Sequence, residues 1–417
     1  MAVDFYDALE ARRPEEREAA LMVALPAHLA DAKRNAPGWA RILQDVDPAA
    51  VTTRAALAKL PVTRKSDLAE LQKGMPPLGG LNATPVEKLA KLFASPGPVY
   101  DPEGQGADWW RTARSLYAAG FRSGDLVLNG FSYHFTPAAS MVESGARAVG
   151  CTVVPGGTGQ TEMQAAAIHD LRVSAFGGTP SFLKLIVEKA DELKIDVGSL
   201  KKAIVGAEYL PPALRQAMAA RGIRVLQLYA TADIGLLAYE SGMPDGKVNE
   251  GMILDEALIL EIVRPGTGDP VNTGEVGEVV VTSLNPDYPL IRFGTGDLSA
   301  VLAGTSPCGR TNMRIKGWMG RADQTSKVRA MFVTPKQIGE VLRRHKEVLK
   351  ARLVVEGETG NDRMTLKCEA KARPAGLAEA IVASIRDVTK LRGEVELVAP
   401  GTLPNDGKVI DDTRKYT

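Results

Sequence analysis

The chain has 417 residues, of which 45% are hydrophobic and 24% charged, a composition typical of a globular protein with a sizeable core. Its 51 basic and 50 acidic residues give a formal net charge of +1, which argues against nucleic acid or an anionic membrane as the main partner. The three cysteines, Cys151, Cys308 and Cys368, are too scattered for a disulfide framework or a zinc cluster. With no secretion signal and no apolar run of spanning length, a cytoplasmic location is expected.

The first 45 residues are predicted to be helical, and the segment 14–18 opens one of the helices. From Leu126 onward, short apolar strands alternate with amphipathic helices. The predicted strands are 126–128, 151–154, 174–176, 203–205 and 225–228, and the predicted helices are 136–149, 162–171, 180–193 and 211–221. This alternation predicts an α/β fold with a parallel sheet covered by helices on both faces.

After Tyr239 the pattern changes to strands, at 258–263 and 278–281, separated by turns rich in proline and glycine. It predicts an antiparallel, barrel-like subdomain. The segment 290–335, which contains Arg292 and Asp297, is predicted to be a turn rich in charge and glycine at the boundary between two parts of the chain. It is either a plain linker or a site that works because it bends, and the flanking sequence favours the second. We therefore expect a large domain over 1–322, a small α+β domain over 323–417 and a hinge near Asp323.

The small domain has a pattern of its own. Its predicted order is helix 335–347, strand 350–356, strand 363–370, helix 375–391, strand 394–398 and a glycine-containing loop over 400–408.

Ligands of an open α/β sheet collect at the carboxyl ends of its strands. Gly206 and Ala207 follow one strand and leave open backbone against which a planar ring could lie. Tyr229, near the end of the next strand, offers an aromatic face. Asp233 could hold a divalent cation among phosphate oxygens. Each has a plainer interpretation, since glycine after a strand usually forms a turn and an isolated aspartate usually caps a helix.

Three further polar residues lie in the last third of the chain. Asp297 could accept hydrogen bonds from the hydroxyls of a ribose, or could simply stabilise a Thr-Gly-Asp turn. Arg321 could complete the same recognition. Lys408 could approach a developing negative charge, or could be an ordinary solvated lysine.

Taken in order, these residues resemble the adenylate-forming superfamily of acyl-CoA synthetases, and within it the phenylacetate–CoA ligase branch. The resemblance covers essentially the whole chain. Beyond the residues already named, the segments that carry it are 35–39, 60–68 (Leu-Pro-Val-Thr-Arg-Lys-Ser-Asp-Leu), 156–161 (Gly-Gly-Thr-Gly-Gln-Thr), 206–208 (Gly-Ala-Glu) and 229–233.

The resemblance assigns roles to particular residues. It implies that Lys408 is the catalytic lysine, that Asp323 is the hinge and that Asp233 binds Mg²⁺. It implies a nucleotide site that contains Ser95, Gly206, Ala207, Glu208, Tyr229, Ala230, Thr231, Asp297 and Arg321. It implies an acyl pocket formed by Tyr133, His134 and Phe135, with Gly206 and Ala230 as its small-residue wall.

The implied reaction has two steps. A carboxylate attacks the α-phosphate of Mg-ATP to give an acyl-adenylate and pyrophosphate, and the thiol of coenzyme A then displaces AMP. The implied cofactors are ATP, Mg²⁺ and coenzyme A, and the implied substrate is an aryl or other small carboxylic acid. Neither a nucleic acid nor a membrane is an expected partner, and a homodimer is left open.

The chain departs from the family pattern at three positions. The phosphate loop is shortened at Ser95, where prolines replace residues that would supply backbone N–H donors. Asp233 replaces a glutamate, and Ala330 replaces a glycine that lines the thiol tunnel. Some relatives carry several cysteines in this part of the sequence, whereas this chain has only Cys308 there. A zinc site is therefore not predicted. Two alternatives to a coenzyme A ligase stay open: transfer of the acyl group to another acceptor, and a non-catalytic homologue that binds a nucleotide or an acyl-adenylate.

Overall fold

The computed structural model describes residues 4–95, 99–243, 246–322, 324, 326–329, 331–357, 362–404 and 409–414. The chain divides into two compact units, Met1–Gly320 and Arg321–Thr417. Three residues singled out above, Asp323, Ala330 and Lys408, lie outside the described residues. The roles assigned to the two parts, nucleotide binding and a mobile lid, stay predictions.

The first unit contains nine α-helices and fifteen strands among its described residues. The helices are α1 (Pro14–Asn35), α2 (Pro37–Ile42), α3 (Arg54–Leu57), α4 (Leu68–Gly74), α5 (Ala113–Ala118), α6 (Ala138–Val149), α7 (Thr161–Asp170), α8 (Pro180–Leu193) and α9 (Pro212–Ala220). The strands are β1 (Thr63–Arg64), β2 (Lys91–Ser95), β3 (Val99–Glu103), β4 (Leu126–Asn129), β5 (Thr152–Val154), β6 (Ala175–Gly178), β7 (Lys202–Val205), β8 (Arg224–Thr231), β9 (Gly235–Tyr239), β10 (Met252–Leu254), β11 (Leu258–Val263), β12 (Gly277–Ser283), β13 (Leu290–Ser299), β14 (Val301–Leu302) and β15 (Arg314–Ile315).

The central sheet has nine strands in the order β14–β15–β10–β9–β8–β7–β6–β4–β5. The five strands from β8 to β5 pair in parallel, which confirms the predicted parallel sheet. Its strands are buried on both faces: Ala203 and Val205 pack into one hydrophobic cluster, and Ile204 between them packs into another. Helices therefore cover the sheet from both sides.

The strands that follow Tyr239 divide between two sheets. β10, β14 and β15 extend the central sheet through antiparallel pairs, whereas β11, β12 and β13 join β1 in a four-stranded sheet ordered β1–β13–β12–β11. The predicted barrel-like subdomain is thus a sheet that also includes β1, the short strand at Thr63.

The predicted turn is wrong for the first part of the segment, because residues 290–299 form the ten-residue strand β13. This strand pairs with β12 on one side and with β1 on the other, so its backbone N–H and C=O groups form hydrogen bonds with two neighbouring strands. Glycine and charged residues resemble a turn in the sequence, but here they form an interior strand whose irregular register accommodates Gly296 at φ +73°.

Arg292 anchors this strand from the inside. Its side chain is buried, and its guanidinium donates to both carboxylate oxygens of Glu261, at 2.9 and 3.0 Å. It also donates to the carbonyl oxygens of Ala58, Leu60 and Gly268, at 2.7, 2.5 and 2.7 Å. A guanidinium has five N–H donors, and these five bonds use all of them. Arg292 therefore joins β13, β11 and the segment before β1.

A second buried arginine, Arg310, holds the first residues of the chain in place. The side chain of Glu10 is fully buried and accepts hydrogen bonds from Arg310 Nε at 2.5 Å and from the hydroxyl of Tyr239 at 2.6 Å. The backbone N–H of Tyr6 donates to the same carboxylate. The segment around Glu10 is thus bonded directly to β9 and to the residues before β15.

The second unit is a compact α+β unit. Its elements are β16 (Ser326–Val328), β17 (Met331–Val333), α10 (Pro335–Arg343), β18 (Val348–Glu356), β19 (Arg363–Ala370), α11 (Leu377–Thr389), β20 (Glu394–Val398) and β21 (Ile410–Asp412). Four of its strands form a sheet in the order β20–β19–β18–β21. Side chains of this sheet and of both helices share one core, which includes Leu353, Leu366, Ile381 and Ile385. The predicted order of two helices and three strands is confirmed, and β16, β17 and β21 were not predicted.

Candidate functional site

Strands β6, β7 and β8 are neighbours in the sheet, so the residues that follow them lie at one edge. The backbone N–H of Ser181, after β6, donates to Glu208 Oε2 at 3.3 Å. The amide of Gln227, in β8, donates to the backbone oxygen of Glu208 at 2.9 Å. These contacts confirm that residues far apart in the sequence meet at the carboxyl edge of the sheet.

The turn after β7 leaves little room for larger residues. A Cβ on Gly206 would lie 2.9 Å from the side chain of Leu228 and 3.3 Å from its carbonyl oxygen. The next residue, Ala207, is exposed and has a φ of +65°, a left-handed conformation that is uncommon for residues other than glycine. Backbone strain of this kind concentrates at functional sites, which agrees with the predicted place of this turn in the site.

Asp297 and Tyr229 come together although 68 residues separate them. The hydroxyl of Tyr229 donates to Asp297 Oδ2 at 2.8 Å, and the indole N–H of Trp318 donates to Asp297 Oδ1 at 3.1 Å. Asp297 itself is 7% exposed. Its two oxygens are therefore held in a fixed orientation. The sequence did not single out Trp318, because an indole donor carries no motif of its own.

Asp233 lies against a second carboxyl group. Lys65 Nζ donates to Asp233 Oδ2 at 2.6 Å, and Asp101, which is fully buried in β3, contacts Asp233 directly. Burial and the negative charge of Asp233 raise the pKa of Asp101 to about 8, against the opposing effect of Lys65. We call Asp101 and Asp233 the buried carboxyl pair. Asp101 was not predicted from the sequence, because a single aspartate in a strand gives no signal.

Ser95 lies at the end of β2, opposite Val99 in the β2–β3 hairpin. Its hydroxyl is buried and lies 2.8 Å from Asp101 Oδ2, to which it donates, and 3.2 Å from the carbonyl oxygen of Val99. In this structure the hydroxyl thus faces the interior of the hairpin. Its predicted contact with a nucleotide phosphate stays a prediction.

The predicted acyl-pocket residues lie on a loop beside this hairpin. The backbone N–H of Ala94 donates to the carbonyl oxygen of Phe135 at 2.9 Å, which ties the loop to β2. The hydroxyl of Tyr133 donates to Glu143 at 2.8 Å and accepts from the amide of Asn129 at 3.0 Å. His134 is exposed, and Phe135 is 78% exposed with a φ of +59°.

The remaining predicted residues are distributed between the two units. Thr231 accepts a hydrogen bond from the backbone N–H of Ile234, and Ala230 is half-buried beside it. Arg321 is half-buried and belongs to the second unit.

Within the described ranges, no three His, Cys, Asp or Glu side chains are grouped to hold a metal ion. No helix in the same ranges has the length and the apolar character needed to cross a membrane.

Comparison with known proteins gives consistent matches. Residues 107–285 match the model of the AMP-binding enzyme family. The phenylacetate–coenzyme A ligase of Thermus thermophilus is 31% identical over 422 residues, which cover 91% of this chain and 92% of that protein. The phenylacetate–coenzyme A ligase of Aromatoleum evansii is 31% identical over 87% of this chain and 83% of its own.

A solved structure shares the fold. The crystal structure of 2-hydroxyisobutyryl-CoA ligase in complex with 2-HIB-AMP and CoA superposes with a TM-score of 0.81 at 24% identity, covering 98% of this chain and 92% of that chain. This likeness confirms the predicted α/β fold class.

Proposed function

Because the chain belongs to the family of AMP-binding enzymes that includes the phenylacetate–coenzyme A ligases, we propose that it joins a carboxylic acid to coenzyme A through an acyl-adenylate. In the first step, a carboxylate oxygen attacks the α-phosphorus of ATP and pyrophosphate leaves. In the second step, the thiol of coenzyme A attacks the acyl carbonyl carbon, and AMP leaves with the electron pair of the broken bond. The cofactors are ATP, Mg²⁺ and coenzyme A.

The orientation of Asp297 is the observation that best supports the nucleotide site. Tyr229 and Trp318 hold its carboxylate at the carboxyl edge of the sheet, where α/β proteins bind their ligands. A carboxylate fixed in this way can accept both hydroxyls of a ribose without first losing conformational entropy. The exposed backbone of Ala207 faces the adenine in this proposal, at the end of the neighbouring strand.

Replacing Tyr229 with phenylalanine is expected to raise KM for ATP about 5- to 30-fold, because the loss of a hydrogen bond to a charged group costs roughly 1–2 kcal/mol. We expect kcat to change less than about two-fold, since the ribose does not take part in the chemistry. Steady-state kinetics of pyrophosphate release would measure both. Tyr117→Phe is a matched control, because the hydroxyl of Tyr117 also donates to a carboxylate, that of Asp4, on an exposed part of the surface. Equal KM values in the two variants would contradict this role for Tyr229.

The acyl group is proposed to lie near the loop that carries Phe131, Tyr133 and Phe135, a local concentration of aromatic residues in a chain that is only 5% aromatic. Tyr133 is already hydrogen-bonded to Glu143 and Asn129, so His134 is the polar side chain better placed to bond a substituent on the acid. A second carboxylate on the substrate would be repelled by Glu143. We therefore favour a small monocarboxylic acid, with an aryl acid as the first candidate.

A panel of acids tests the proposal. Phenylacetate, benzoate, hydroxybenzoates, 2-hydroxyisobutyrate and short fatty acids would each be incubated with ATP and Mg²⁺, and pyrophosphate would be measured with and without coenzyme A. We expect release that requires both acid and Mg²⁺, and a thioester when coenzyme A is present. Adenylate that accumulates despite coenzyme A would identify another acceptor. AMP binding with no release for any acid would favour the non-catalytic alternative.

A further inference from the structure

The side chain of Gln324 joins two parts of the second unit that are far apart in the sequence. Its amide oxygen accepts hydrogen bonds from the backbone N–H groups of Val409, at 2.8 Å, and of Ile410, at 3.4 Å. In the sequence, Gln324 directly follows Asp323, the predicted hinge, and Val409 directly follows Lys408, the predicted catalytic lysine. The residue after the hinge is therefore bonded to the residue after the lysine.

Val409 is also held through its carbonyl group. The carbonyl oxygen accepts a hydrogen bond from the backbone N–H of Leu353 at 2.9 Å, so both main-chain polar groups of Val409 are paired. The next residue, Ile410, begins β21, which pairs in parallel with β18, and it is buried in the core of the unit. The backbone that follows Lys408 is thus fixed by Gln324, by β18 and by the core.

The chain before residues 405–408, which lie outside the described residues, is held by side chains as well. The carbonyl oxygen of Pro404 accepts a hydrogen bond from Lys350 Nζ at 2.7 Å, and the backbone N–H of Leu403 donates to Glu369 Oε1 at 2.7 Å. Lys350 lies in β18 and Glu369 in β19. The central sheet of the unit therefore fixes the backbone up to Pro404.

The backbone of Gln324 lies in a conformation that suits glycine better. Its φ of +57° falls in the left-handed region, which is uncommon for residues with a long side chain. A glycine at this position would relieve the strain but would offer no acceptor to Val409. Strained residues persist where the surrounding structure over-determines them, and they are concentrated at switch regions and active sites. The strain is thus tolerated at a position where the amide oxygen is in use.

We propose that Gln324 is a positioning residue for adenylation, because it bonds the backbone beside the predicted hinge to the backbone beside Lys408. The proposal rests on the proposed function and on the predicted role of Lys408 in its first step. The bond keeps the lysine in one place relative to the hinge segment. Without it the lysine would sample more positions, and a charge that is not preorganised stabilises a transition state less.

Gln324→Gly removes the acceptor and relieves the left-handed strain, so the variant should still fold. We expect kcat for pyrophosphate release to fall about 10-fold and KM for ATP to change less than about two-fold. Thioester formation from a prepared acyl-adenylate and coenzyme A should stay within about two-fold of the wild-type rate. Gln324→Ala should show the same split without the backbone freedom of glycine, and Gln324→Glu, which keeps an oxygen acceptor, should recover most of the lost rate.

Amide hydrogen exchange tests the bond itself without any turnover. Exchange at Val409, resolved by mass spectrometry of overlapping peptides, should become about 5-fold faster in Gln324→Gly, because one hydrogen bond of modest strength is lost. Exchange at Leu366, in the centre of β19, should be unchanged. Unchanged exchange at Val409 would overturn the proposal.

Gln337→Ala is the matched control. Gln337 is a half-buried glutamine of the same unit, and its amide oxygen also accepts from a backbone N–H, that of Thr334 at 2.9 Å, at the start of α10. Its loss should weaken the cap of this helix but leave pyrophosphate release within about two-fold of the wild-type rate. An equal fall in Gln337→Ala and Gln324→Ala would mean that Gln324 only supports the fold.

The two half-reactions separate the possible failures. Pyrophosphate release at the wild-type rate in both Gln324→Gly and Gln324→Ala would overturn this role alone, and so would an equal fall in adenylation and thioester formation. A wild type that releases no pyrophosphate with any acid would refute the proposed function, and this role of Gln324 with it. Failure of this proposal is therefore distinguishable from failure of the proposed function.

Discussion

Replacing Lys408 with alanine is expected to lower the rate of pyrophosphate release about 10²- to 10³-fold, the effect of removing one preorganised charge from a transition state. The attacking carboxylate and the α-phosphoryl oxygens both carry negative charge in adenylation, and a single cation between them stabilises that state more than the separate substrates. The role of Lys408 rests on the family resemblance, and this measurement tests it directly.

The second half-reaction separates a catalytic role of Lys408 from damage to the second unit. Thioester formation from a chemically prepared acyl-adenylate and coenzyme A should continue at close to the wild-type rate, because the proposed lysine acts only on the first step. Lys390→Ala is a suitable control, since Lys390 is an exposed lysine of the same unit whose nearest carboxylate is that of Asp387, at 3.6 Å. Pyrophosphate release at the wild-type rate in Lys408→Ala would remove this residue from the mechanism.

Arg292→Met is expected to lower the free energy of unfolding of the first unit by about 3–5 kcal/mol. The substitution leaves the buried carboxylate of Glu261 without its cation and removes the donor from two buried carbonyl oxygens and one partly buried one. Methionine fills a similar volume, so the loss should come from the polar groups and not from a cavity. Urea unfolding followed by tryptophan fluorescence measures the effect in the correct unit, because all four tryptophans, Trp39, Trp109, Trp110 and Trp318, precede Arg321.

A double variant tests the cause. Adding Glu261→Gln to Arg292→Met removes the uncompensated charge and should recover at least about 1 kcal/mol. Arg264→Met, at an exposed position just beyond β11, should change stability by less than about 0.5 kcal/mol. If Arg292→Met proved as stable as the control, the buried contacts of Arg292 would not stabilise the first unit, and this structural role would be wrong.

Much of the fold could be predicted from the sequence because the parallel strands are short apolar runs bounded by amphipathic helices. The helix α8 is an example: Pro180 occupies its first turn, the hydroxyl of Thr179 accepts from the backbone N–H of Phe182, and the predicted bounds are those observed. The prediction failed at β13, because pairing on both sides is a tertiary property that local glycine content cannot reveal.

The candidate site was predictable only in part. Strand-end reasoning identified Gly206, Tyr229 and Asp233, because the carboxyl ends of parallel strands necessarily share an edge. Asp101 could not be found in this way. It lies outside the βα alternation, and its contact with Asp233 depends on how the β2–β3 hairpin packs against the large core.

The buried ion pair between Glu10 and Arg310 has a consequence for synthesis on the ribosome. These partners are 300 residues apart, and Tyr239, which shares the carboxylate, is 229 residues from it. The amino-terminal segment emerges first but cannot neutralise Glu10 until Arg310 has been translated. The first unit therefore cannot finish folding until almost all of its residues have been translated. The nascent chain needs protection from aggregation during that interval. The second unit contains its own core, and it can fold last without waiting for any partner translated later.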